Sequence, residues 1–109
     1  MIIGVYTLEL HLPMARSLKD KRQVVRRLKD RLRSRFNVAV AELNEHGDLW
    51  QRGGLIVVSV AEHRDPLARL FEAIRREAEA LVPGNLIPGT TEFIESADGG
   101  AAGWSEEWE

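Results

Sequence analysis

The apolar residues of this chain fall into segments whose periods run two, 3.6, two, two, 3.6 and two residues, an order that few folds accommodate. In residues 2–12, Ile2, Tyr6, Leu8, Leu10 and Leu12 share one face of a strand. Thr7, Glu9 and His11 share the other, and Pro13 ends the run. Ser17 suits the N-cap of a helix running to Arg35, with Leu18, Val25, Leu28 and Leu32 on one stripe, Val24 at its margin and Phe36 at its end. Residues 37–45 read as a second strand and His46-Gly47-Asp48 as a turn. A third strand covers 50–61, where Leu55-Ile56-Val57-Val58 is apolar on both faces, as a central strand requires. Asp65 as N-cap with Pro66 at the first helical position opens a second helix. Its apolar side holds Leu67, Leu70, Phe71, Ile74, Ala78 and Leu81, and Pro83-Gly84 ends it. Residues 86–95 form a last, weak strand, interrupted by Pro88-Gly89 as an edge strand tolerates.

The order β-α-β-β-α-β predicts an α+β, ferredoxin-like two-layer sandwich. Its four-stranded antiparallel sheet has the order 4-1-3-2, with two helices on one face and the other face bare. With 109 residues there is material for one such domain, assigned to 1–95. Residues 96–109 are Gly/Ala-rich and acidic and read as a disordered tail.

Charge is distributed very unevenly. Residues 16–35 hold ten of the 15 basic residues against Asp20 and Asp30, a formal +8, while the remainder carries −10. A net charge of −2 therefore hides a strong dipole, able to select and orient a charged partner. At 100° per residue, Lys19, Arg22, Arg26, Lys29 and Arg33 line up as a cationic stripe beside the apolar one. Such a stripe can track a phosphate backbone. Five contacts predict a salt slope of about −3.5 for a single strand. Against this stand a sequence pI near 5.9 and central strands whose only aromatics are Tyr6 and Trp50, too few for a base-stacking sheet. A plain solvated helix face, or one paired with a second copy of the chain, is the alternative.

Several classes of chemistry are excluded. Without cysteine there are no disulfides, thiolate metal sites or thiol nucleophiles. His11, His46 and His63 lack metal-ligand spacing, so no metal and no cofactor is expected. There is no phosphate-binding glycine loop and no Gly-x-Ser-x-Gly elbow. No stretch approaches the roughly 20 apolar residues of a membrane span, and a cytoplasmic protein is expected.

His11-Leu12-Pro13, Ser17-Leu18-Lys19 with Lys21-Arg22, Phe36-Asn37-Val38 with Ala41-Glu42, and Asp48-Leu49-Trp50-Gln51 together resemble the YlxP-like family of small bacterial proteins of unknown function. The likeness spans residues 1–95. It implies a ferredoxin-like fold and a genomic neighbourhood shared with translation and ribosome-maturation genes, which directs attention to RNA or the ribosome. It implies no catalytic residue. Gly53-Gly54 departs from the family pattern and is the expected place for a bulge.

A candidate anion pocket comprises His11, Lys21, Glu42 and Trp50, which the topology brings toward one edge. Lys21 lies near the apolar stripe and is expected to snorkel or to pair with Glu42. Trp50 is expected to anchor the hairpin. The expectation is thus a non-catalytic, RNA- or ribosome-associated accessory module using the basic helix. One alternative is a homo-oligomeric adaptor, joined through Ile3, Val5, Ile56 and Val58. A small enzyme acting on an anionic substrate through His11, Lys19, Lys21, Arg22 and Glu42 is the other.

Overall fold

The computed structural model describes residues 1–43 and 51–95, apart from the Pro88 side chain. The chain runs β1 (Ile2–His11), α1 (Leu18–Arg35), β2 (Ala39–Glu42), β3 (Arg52–Ala61), α2 (Arg64–Leu81) and β4 (Leu86–Glu95). The sheet order is β2-β3-β1-β4, which is 4-1-3-2 read from the other edge, and every pairing is antiparallel. The expected sandwich is the one observed. Glu45, the His46-Gly47-Asp48 turn, Trp50 and the tail from Ser96 lie outside the described residues.

Strand parity sets the two layers. Ile2, Tyr6, Leu8 and Leu10 of β1 are buried beneath the helices with Leu55 and Val57 of β3. From the helices come Val25, Leu28 and Leu32 of α1, and Leu67, Phe71 and Ile74 of α2. Tyr6 stacks on Phe71 with ring centroids 5.2 Å apart and planes inclined by 17°.

α1 starts where expected because its orphan N-terminal amides find acceptors. The Ser17 hydroxyl accepts from the Asp20 amide at 3.1 Å, and the Asp20 carboxylate accepts from the Arg16 amide at 2.9 Å. α2 starts two residues earlier than the Asp65-Pro66 pair suggests. His63 is its N-cap, without a side-chain capping bond, and Asp65 lies in the first turn. Pro66 fits inside that turn because amides there have no intrahelical acceptor to lose.

The expected bulge is elsewhere. Gly53 and Gly54 pair with Leu10 and Glu9 in an unbroken β1–β3 register. The irregularity falls instead between Thr7 and Glu9 on the β4 side, opposite Pro88-Gly89. Proline cannot donate to the ladder, and Gly89 runs so close to the Thr7 carbonyl oxygen that a Cβ would collide with it. Gly53 has a different reason: a Cβ there would lie 3.1 Å from Val25 Cγ2, so its absence lets α1 settle on β3.

The face away from the helices carries cross-strand rows. Val60, Ile3 and Ile94 form the first, and Ala39, Val58, Val5 and Glu92 the second. Ala41, Ile56, Thr7 and Thr90 form the third. At the far end His11 sits opposite Arg52. Polarity therefore rises along the strands, from aliphatic at the start of β1 to charged at its end.

Candidate nucleic-acid interface

Apart from Lys21, which faces the sheet near Gly53, the cations of α1 divide by helical angle into three groups. Toward α2, Arg31 and Arg35 reach Oε1 of Glu77 at 3.1 and 3.2 Å. Toward β2, Lys29 lies 3.7 Å from Glu42 and is the more shielded member of that pair. Between these flanks, Lys19, Arg22, Arg26, Arg27 and Arg33 are exposed and form no ion pair among the described residues. The apolar stripe turns the helix so that this central group points outward. Helical rise places Arg22 and Arg26 about 6 Å apart along the axis, and Lys19 to Arg33 spans about 21 Å.

Of the five stripe residues expected to meet nucleic acid, Lys19, Arg22, Arg26 and Arg33 stand open, while Lys29 is engaged with Glu42. Arg27 joins the outward surface from the opposite margin. With Gln23, Arg26, Asp30, Arg31 and Ser34 it lines a shallow groove along the helix. Residue spacing contained that signal: Gln23, Arg27 and Ser34 recur at i, i+4 and i+11, beside the stripe.

The candidate anion pocket is reshaped. A cavity of about 100 Å³ between α1, β2 and β3 is lined by Leu18, Lys21, Arg22, Val25, Glu42, Leu43, Gly53 and Gly54. Lys21 and Glu42 thus come together, with Arg22 beside them. His11 is not part of that lining. As an odd-numbered β1 residue it belongs to the open sheet face, whereas Lys21 approaches Gly53 from the helix side. Trp50 lies outside the described residues. Lys21 also has an interaction partner of its own.

Titration behaviour is perturbed away from this surface. Burial pushes the Tyr6 phenol upward, Arg75 opposes that shift and Glu72 reinforces it. Arg75 donates to Glu72, with a shortest contact of 2.6 Å, and holds that carboxyl below its usual range. No cluster of three or more His, Cys, Asp or Glu able to hold a metal ion occurs among the described residues. Nor is any helix among them long and apolar enough to cross a membrane.

Tyr6 points into the core, and the rows of the open face hold no aromatic among the described residues. Phe93 pairs with Gly4 and so belongs to the helix side, where Arg64 lies over its ring at 5.4 Å. A base-stacking platform of the kind RNA-recognition sheets use is therefore not built among these residues.

Comparison with known proteins agrees with this architecture. A de novo designed protein with a ferredoxin fold, LFR1 1, superposes with a TM-score of 0.58 at 14% identity, covering 90% of each chain. "Uncharacterized protein YlxP" of Bacillus subtilis (strain 168) is 35% identical over 63 residues, 58% of this chain and 67% of that protein. The family model described as "Protein of unknown function (DUF503)" matches residues 3–87, most of the folded domain. The chain belongs to the DUF503 family and is YlxP-like in sequence.

Proposed function

We propose that this protein is a non-catalytic accessory module that binds RNA by gripping phosphates with the outer face of α1. One observation carries the reading: Lys19, Arg22, Arg26 and Arg33 stand exposed and without ion pairs among the described residues, although the protein is acidic overall. Glu42 and Glu77 are drawn to the flanks of α1 and leave this ridge bare. Arginine forks suit phosphate oxygens, and each neutralised phosphate releases counterions. Lacking a stacking platform, the module reads backbone charge and tolerates sequence. The resemblance to YlxP-like proteins favours RNA among polyanions. An enzyme using His11 with Lys21 and Glu42 is disfavoured, because His11 lies on the far side of the sheet from their cavity.

The test is binding of ribosomal RNA fragments followed by fluorescence anisotropy across a salt series. Four contacts give an expected slope of about −2.8 in log K against log salt. The triple variant Arg22→Glu/Arg26→Glu/Arg33→Glu should lose binding while keeping its circular dichroism. Salt-insensitive binding, or full binding by the triple variant, overturns the reading. Crosslinking and sequencing of RNA bound in cells, with the same variant as control, would identify the target.

A further inference from the structure

The open sheet face has a composition that water tolerates poorly in a small protein. Its first row is wholly aliphatic, with Val60 59% and Ile94 49% exposed on either side of Ile3. Val5, Val58 and Ile56 continue the apolar patch across the next two rows, and all three are only partly covered. Charged side chains lie outside the aliphatic centre: Glu92 on the edge strand β4, and Glu9, His11 and Arg52 beyond the third row, toward the far end. An apolar centre with a charged rim is the anatomy of a protein interface.

We propose that two copies of this chain pack open face to open face as an isologous dimer. Consider a two-fold axis parallel to the strands, between β1 and β3. It lays β1 of one copy over β3 of the other. Ile3 then meets Val60, Val5 meets Val58 and Thr7 meets Ile56, so each row falls on its like. At the polar end the same operation sets Arg52 against the partner's His11. The surface is thus complementary to itself, which an isologous contact requires. Its extent is also sufficient. Three ten-residue strands and the four-residue β2 present about 500 Å² of flat area per copy, at roughly 3.4 Å per residue and 4.8 Å per strand. Two copies, with side-chain relief added, clear the total of about 1,000 Å² that a specific interface needs. The lack of aromatics on this face among the described residues argues for a protein occupant over a nucleic acid. This proposal is independent of the RNA reading, because α1 lies on the opposite side of the sheet.

Light scattering coupled to size exclusion, without RNA, tests it. The expected mass is twice the 12.3 kDa of one chain. Val60→Lys/Ile94→Lys should be monomeric with unchanged circular dichroism. Because the chain has no cysteine, Val60→Cys supplies a second reading that adds no charge. A short bismaleimide should couple it into dimers, and should leave Ala80→Cys, on the outer side of α2, uncoupled. A single-chain mass up to about millimolar concentration overturns the proposal. So does a dimer that survives the double-lysine change, or equal coupling of the Ala80→Cys protein.

Discussion

Arg31 donates from Nη1 to Oε1 of Glu77 across 3.1 Å, joining two helices whose partners lie 46 residues apart in the chain. Arg35 reaches the same oxygen. Part of the basic helix is thus committed to holding the fold, and part is left for solvent. The two parts should separate experimentally.

Glu77→Gln removes the charge that Arg31 and Arg35 both meet on α2. These pairs lie at the surface with Glu77 half-buried, so the cost should be about 0.5–1 kcal/mol in urea unfolding. RNA affinity and its salt slope should not fall, because the outward ridge is untouched. A large loss of RNA binding in this variant would show that Arg31 and Arg35 need their carboxylate to be placed for RNA.

Glu42→Gln tests the other flank. Lys29 then loses its carboxylate and becomes available as a fifth contact. Affinity for RNA should rise, with the slope steepening by about 0.7. Anisotropy at two salt concentrations measures both effects.

Leu28 is fully buried, with no exposure, where α1 meets the sheet. Leu28→Ala should cost about 2–5 kcal/mol, the usual range for truncating a core leucine. Gly89→Ala should cost about 1–3 kcal/mol by overpacking, because the new methyl collides with the Thr7 carbonyl. Hydrogen exchange should locate the second loss in the amides of β4.

Alkaline stability should depend on Tyr6, whose phenol is held above its ordinary value by burial. As pH passes about 10, the unfolded chain releases this proton while the folded chain retains it. The unfolded state is then favoured, so stability falls with rising pH until the folded phenol also ionises. Tyr6→Phe should flatten that alkaline limb in thermal melts between about pH 9 and 11.

Much of the architecture was legible in local pattern. Even positions of β1 went to the core, Ser17 capped α1, and the strand bounds of β4 came out as read despite Pro88-Gly89. These features depend on near neighbours. The Gly53-Gly54 step misled because a glycine pair signals close approach without saying to what. Here α1 approaches Gly53 through Val25, and the bulge forms on another strand. The cationic stripe was legible as a stripe, but the loss of Lys29 to Glu42 was not. Nor was the capture of Arg31 and Arg35 by Glu77, since both depend on tertiary packing. His11 seemed near Lys21 because topology brings chain ends together. Parity then sends their side chains to opposite sides of the sheet.

Both helices occupy one side of the sheet, so the arginine-bearing front and the aliphatic back look in opposite directions. A polymer lying along the front takes no room from whatever sits behind, and loading either side leaves the other sterically untouched. With backs joined, two fronts would stand about 40 Å apart, looking outward. If both proposals hold, such a body would be a spacer, tethering two stretches of one folded strand at a set separation.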